Sequence, residues 1–349
     1  MFTSRLHSCM MHSVIAAGCV VALTLSTIQP AEAQRQTIRF ATSNVGSYGY
    51  AVGNLLSETI QENLGSDDYA VVVQPYPSTT AAMKAVMDGD GEFGYTADVG
   101  MRGLYNDDRP YKGFEPAKGH LVHTLYVYPM ETFMTVPARD EDKYNSYGDL
   151  ANEDLFFTPA GFMNWLNMNR IMTALGYPFN HVEIDSATVA DSFESGSVAG
   201  AAAYTTAGVS LPTWWREAEL RADISVVNPS EEEREKLKAA GLVPVEIDPA
   251  EAFSQDVGVD KIWGVPIYFA YNVRADMDAD LMQRILNILN DNVDNLAEGD
   301  AGFRPLARDF VGTQAAGVAA NPDIPVHAGL AAFLKEHGAW DDSWTIAGN

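Results

Sequence analysis

From residue 34 onward the sequence has no cysteine; its two cysteines, Cys9 and Cys19, both lie near the start. That excludes a disulfide, a catalytic thiolate and a Cys-ligated metal from the folded part of the chain. Cations are also scarce. Lys and Arg number 22 against 47 Asp and Glu, a net charge of −25. A surface of that sign repels nucleic acid and anionic lipid, so neither is expected as a partner. Beyond residue 33 no stretch is long and apolar enough to span a membrane, and there are no repeats or low-complexity tracts. Catalytic signatures are missing too: no Gly-x-Ser-x-Gly elbow, no His-Glu-x-x-His, no EF-hand loop and no P-loop. His120 and His123 are three apart on a strand-like stretch and so point to opposite faces, which argues against a paired metal site. No catalytic residue, metal or cofactor is assigned.

What is present begins with a leader. Residues 1–33 carry Arg5, an apolar run "VIAAGCVVALTLSTI" and small residues at Ala31 and Ala33. The pattern is that of a secretory signal cleaved after Ala33. The stretch "AAGC" before Cys19 is a weaker lipidation pattern, and the apolar run continues past it. A chain so exported, without disulfides, must be held by its core, and its length suits two domains.

After the leader, strand and helix patterns alternate throughout, which predicts an α/β fold with largely parallel sheets. Five strand-to-helix junctions carry polar turns, around Ser47, Thr79, Asp98, Gly161 and Thr205. In open α/β sheets ligands gather outside the carboxyl ends of the strands. Two such lobes facing each other make a cleft that closes by hinge motion. The sequence therefore reads as an extracytoplasmic, periplasmic binding protein with the two-lobed type II-like architecture, its ligand between the lobes. We expect lobe I to comprise residues 34–135 and 264–349 and lobe II residues 136–263. The crossing strands fall near Tyr128–Pro137 and Trp263–Tyr271.

Candidate ligand contacts follow from the junctions. "TSNVGSYGY" breaks a strand just before a helix, and its Asn44, Ser47, Tyr48 and Tyr50 make one wall. For the tyrosines, packing into the core competes. Ser78, Thr79 and Thr80 open a second helix, where hydroxyls and free N–H groups can take a carboxylate or simply cap the helix. Asp98 stands at a third junction. From lobe II come Gly161, Asn164 and Trp165. Phe162 and Trp165, three apart, are expected on one helix face, with core packing for at least one of them. Thr205 and Thr206 end a strand, in ligand contact or in turn chemistry. Trp214 and Trp215 cannot both face inward. No arginine falls in these turns. Arg102, Arg139 and Arg170 are nearest in sequence and read as surface or interlobe residues, so backbone dipoles and hydroxyls would hold an anion.

The same residues carry a resemblance. "GSYGYAVG", "YPSTTAAMKAVMDGDGEFGYTADV" and above all "IPVHAGLAAFLKEHG" (Ile324–Gly338) resemble the TAXI group of solute-binding proteins of TRAP transporters, over nearly the whole chain after the leader. There are departures. Gly161-Phe162-Met163-Asn164 stands where that family has Gly-Ser-Gly-Thr, and Ala199 stands near a family aspartate. The resemblance implies a non-enzymatic protein, and a monomer is the default expectation for this two-lobed architecture. It would capture a small carboxylate-bearing solute, of the amino acid, dicarboxylate or 2-oxo acid class, and hand it to a membrane permease. A ligand-sensing partner of a membrane receptor would use the same cleft, and a periplasmic hydrolase is the remaining reading. His327, in the best-matching segment, is expected to anchor the C-terminal region by a hydrogen bond.

Overall fold

The computed structural model describes residues 35–65 and 67–348. The expected signal segment, residues 1–33, lies outside the described residues. The first part of the chain alternates strand and helix: β1 (Gln36–Thr42), α1 (Tyr48–Leu64), β2 (Tyr69–Pro75), α2 (Thr79–Asp88), β3 (Phe93–Ala97) and α3 (Asp98–Tyr105). A 17-residue strand follows, β4 (Leu121–Pro137). Then come β5 (Asp154–Phe156), α4 (Met163–Leu175), β6 (Asn180–His181), α5 (Val189–Ser195), β7 (Gly200–Thr206), α6 (Thr213–Glu219), β8 (Ile224–Val227) and α7 (Glu231–Ala239). After β9 (Val245–Ile247) and α8 (Pro249–Ala252), a second long strand, β10 (Ile262–Arg274), returns. The helices α9 (Ala279–Asp291), α10 (Val293–Gly299), α11 (Arg304–Arg308), α12 (Phe310–Ala319) and α13 (Ala328–Glu336) complete the chain.

One ten-stranded sheet joins these elements, in the order β2-β1-β3-β10-β4-β7-β5-β6 with β8 on β4 and β9 on β10. The outer trios, β2-β1-β3 and β7-β5-β6, are each parallel. Between them β10 and β4 run antiparallel to each other and to their neighbours. Parallel trios need cover on both faces, and the burial shows it: every residue of β3 and of β7 is buried.

The apolar core divides along the two long strands. Residues of β4 as far as Met130, and of β10 from Ile267 onward, belong to one large cluster with α1, α2 and α9–α13. Farther along β4, Phe133 joins one smaller cluster and Met134 another, on opposite faces of the sheet. The alternation follows from the two-residue period of a strand. Both long strands thus belong to both halves of the molecule.

Individual elements follow their sequence signals. Ser230 and Glu233 form the reciprocal cap of α7, as the spacing Ser-x-x-Glu predicts. The pattern at residues 278–299 reads as one long helix, and the structure breaks it at Asn292. The Asn292 side chain donates to the Ile288 carbonyl and competes with the helical ladder. His327 caps α13: its Nδ1 accepts from the Gly329 amide at 3.1 Å and its Nε2 donates to the Met277 carbonyl at 3.0 Å.

Candidate functional site

Four of the five polar junctions open on one cavity of about 370 Å³. From the first half of the sheet come Asn44, Gly46, Ser47 and Tyr48, between β1 and α1, and Pro77, between β2 and α2. From the second come Pro159 and Phe162, between β5 and α4, then Asp185 and Ser186 after β6, and Tyr204, Pro212 and Trp214 around the β7–α6 turn. Below lies a space of only about 20 Å³, floored by Ser43, Thr79, Met130, Met163 and Asn164. Ser47, Tyr48, Phe162 and Tyr204 line both.

The geometry is that of converging helix starts. Ser47 is the N-cap of α1 and accepts from the Tyr50 amide at 3.1 Å, while its hydroxyl pairs with that of Ser43 at 2.7 Å. Ser78 caps α2 in the same way, through the Ala81 amide. Phe162 stands at the cap position of α4 and offers no side-chain acceptor. The first-turn amides of α4 are therefore left for another acceptor, and the positive ends of α1, α2 and α4 meet at the cavity.

The aromatic walls are fixed from behind. Tyr48 donates to the Asp300 carboxylate and meets Tyr128 edge-on at 5.2 Å. Burial, with Asp300 adding to it, pushes the Tyr48 phenol far above its usual range. Tyr204 meets Trp214 edge-on at 6.2 Å. Burial raises the Tyr204 phenol to about 12. Trp215 is fully buried, its Nε1 donating to the Ala202 carbonyl, and Trp214 packs against it on the cavity side. The turns of the second half hold strained backbone: Thr158 has φ 109 and Ala207 φ 56. Positive φ in a buried β-branched residue is held only where the surroundings enforce it, and such positions cluster at functional sites.

Of the residues singled out from sequence, the structure brings Asn44, Ser47, Tyr48, Thr79 and Asn164 to the cavity or its floor. Ser78 and Thr80 stand beside it and touch the opposite half. The Thr80 hydroxyl donates to the Gly161 carbonyl at 2.9 Å, and Gly161, at φ 93, turns the chain against Ser78. Asn164 is buried and accepts from the Thr132 hydroxyl at 2.8 Å.

The others lie elsewhere. Tyr50 is only partly buried and lines neither space. Trp165 packs on the second half's own core, T-shaped to His181 at 6.0 Å. Phe162 precedes the first turn, so the expected shared face does not form. Thr205 donates to Glu131 at 2.7 Å, and the Thr206 amide closes its turn on the Ser210 carbonyl. Asp98 is buried under β10 and accepts from the Tyr268 amide at 3.0 Å. Burial raises its carboxyl, against the pull of Arg170.

Arg170 donates to Asn167, Arg102 to Asn321 and Ala320, and Arg139 to the Phe193 carbonyl. None of the three lines the cavity. Sequence reasoning missed Pro77, Pro159, Asp185, Ser186, Tyr204 and Pro212. The signal for Asp185-Ser186 was the strand-to-helix step "HVEIDSAT", the same pattern as the other junctions behind a very short strand.

The Thr80–Gly161 bond crosses from one half to the other. Thr80→Val keeps the shape and strands the carbonyl, and should lower stability by about 1 kcal/mol. Urea unfolding checks it; an unchanged midpoint would mean that this contact contributes nothing.

Among known protein families, residues 40–338 match the NMT1-like family. The chain belongs to the NMT1-like family. No curated protein matches it. Among solved structures this NMT1-like protein is similar to the periplasmic aliphatic sulphonate-binding protein SsuA of Escherichia coli, with 14% identity, 86% of this chain and 90% of that one covered, and a TM-score of 0.46. It is also similar to the alkanesulfonate-binding SsuA of Xanthomonas axonopodis pv. citri, with 12% identity, 89% and 96% coverage and a TM-score of 0.46. A third similarity is to XAC2383 of Xanthomonas citri, with 10% identity, 82% and 98% coverage and a TM-score of 0.49. The match is thus to the NMT1-like family, whereas the sequence motifs point to the TAXI group. Together, family membership and a cavity built from both halves of the sheet support a solute-binding protein. No helix among the described residues is long and apolar enough to cross a membrane.

Proposed function

We propose that this NMT1-like protein is an extracytoplasmic solute-binding protein, of the TAXI type, that captures a small carboxylate-bearing solute between two lobes and delivers it to a TRAP membrane permease. The observation that carries this reading is the convergence of strand-to-helix turns from both halves of the sheet on one cavity of about 370 Å³. That volume falls in the range of small-molecule sites, about 300–1,000 Å³. No lysine or arginine is among the lining residues. A carboxylate would be held by first-turn amides and hydroxyls, with the helix dipoles supplying the favourable potential. The two long strands shared by both halves are the natural hinge, and solute binding would shift the population toward closure. The motifs in Ile324–Gly338 support the TAXI assignment.

Thermal unfolding against a panel of dicarboxylates, 2-oxo acids, amino acids, aromatic acids and neutral analogues tests the reading. A bound solute at 100 times its Kd stabilises the protein by about 2.7 kcal/mol. We expect a shift with a carboxylate and its loss in Thr79→Ala. A panel in which only neutral compounds act overturns the carboxylate, and one in which nothing acts overturns solute capture. A neighbouring gene for a large fused permease is expected, and one for a sensor kinase in its place would overturn the transport role.

A further inference from the structure

The side chains around the cavity are unequal in kind. Four are aromatic, Tyr48, Phe162, Tyr204 and Trp214, and three more are prolines; the one charged group is Asp185. Three of the four rings are held in place rather than merely present. Tyr48 is tied to Asp300 and Tyr128, and Trp214 is backed by Trp215 and Phe156 with Tyr204 at its edge. They also come from both halves of the molecule, so closure brings rings to both sides of whatever lies between. A planar body gains from such walls through offset or edge contacts. The charge pattern limits the anion. One carboxylate can rest on helix-start amides, but a second would find no cation, one fixed carboxylate and an overall charge of −25.

We infer that the cleft selects a solute with a planar ring and a single negative charge, an aromatic monocarboxylate, and rejects dicarboxylates. Phe162 and Trp214 set the ring preference and Asp185 the charge limit. The inference rests on the reading of the cleft as a solute site.

Isothermal titration calorimetry of the purified protein with 4-methylbenzoate, terephthalate and succinate tests it. The first two share one body and differ by one carboxylate. We expect 4-methylbenzoate to bind at least tenfold more tightly than either of the others. Trp214→Ala should weaken it at least tenfold; Phe162→Leu, which keeps apolar bulk, should weaken it severalfold. Asp185→Asn, which retains a helix-capping side chain, should narrow the gap to terephthalate. Terephthalate or succinate binding as tightly as 4-methylbenzoate, or indifference of 4-methylbenzoate to Trp214→Ala and Phe162→Leu, would overturn the inference and leave solute capture standing. No binding of 4-methylbenzoate also overturns it. The melting panel then decides separately whether the cleft takes any solute.

Discussion

Adding one methyl group at Gly49 is expected to cost about 3 kcal/mol, the upper part of the usual range for overpacking, and to abolish solute binding. Gly49 lies in the first turn of α1. A Cβ there would come within 2.3 Å of the Tyr95 ring. That ring cannot step aside. It stacks on Phe269 at 5.0 Å, and its hydroxyl pairs with that of Tyr128 at 2.6 Å. The Gly49 carbonyl is itself fixed, accepting from the Tyr271 hydroxyl at 2.5 Å. The helix must therefore lift away from the sheet, and Ser47 and Tyr48 move with it. Urea unfolding of Gly49→Ala measures the cost. Wild-type stability and solute-induced melting shift in this variant would show that the start of α1 does not set the cavity wall.

The second large effect is a pH dependence centred on Glu131. This residue is buried in β4, where one core gives way to the next. Its Oε2 accepts from the Thr205 hydroxyl at 2.7 Å and the Gly208 amide at 3.0 Å. Burial outweighs these two bonds and pushes the carboxyl up to about 7 from an ordinary 4.5. The folded protein then holds a proton between those values that the unfolded chain has released, so this group's contribution falls as pH rises through the window. The full span amounts to about 3 kcal/mol. Glu131→Gln removes the ionisation and keeps an acceptor for Thr205 and Gly208. The variant should match the wild type at pH 4.5 and exceed it by about 3 kcal/mol at pH 8.

His123 acts with the opposite sign. It is buried, bonded to the Tyr126 hydroxyl at 2.6 Å and the Asn321 carbonyl at 3.0 Å, and burial lowers it to about 4. Its contribution is present above the unfolded value of 6.5 and is lost as pH falls toward 4. In Glu131→Gln that loss is no longer offset, so the variant's stability should climb steadily from pH 4 to 6.5. Chemical denaturation across this range checks both slopes. A difference between variant and wild type that does not change with pH would mean that Glu131 does not titrate there.

The sequence showed the strands, most helices and the polar junctions because each depends on local periodicity and turn chemistry. Four of the five junctions do meet at the cavity. The fifth, at Asp98, does not, because β3 lies beside β10 and the Tyr268 amide takes the carboxylate. Nothing near Asp98 in sequence announces a partner 170 residues away. Thr205 fails for the same reason, claimed by Glu131 across the sheet. Trp165 is an error of phase. Counting three residues back to Phe162 assumes that both are helical, but Phe162 has extended backbone, φ −80 and ψ 150. Only Trp165 then follows the helix, and it turns into the core. Trp214 against Trp215 was a legible alternative without a legible answer, since one residue of offset decides which ring meets the sheet.

The order of strands also fixes when the molecule can close up in time. The trio β2-β1-β3 is complete by Ala97, yet its link to the rest of the sheet is β10, which begins at Ile262. During synthesis, the edge of β3 that faces away from β1 must wait more than a hundred and fifty residues for β10, with the ladder groups of that edge unpaired. The second half has the converse dependence: β7 and β8 both pair with β4, which precedes them. A fragment without β4 would present two open edges, and one ending before β10 would leave the first trio unattached. Such long-range closure makes folding slow and the incomplete chain prone to association. The two strands shared by both halves are thus the ones that make either half dependent on the whole.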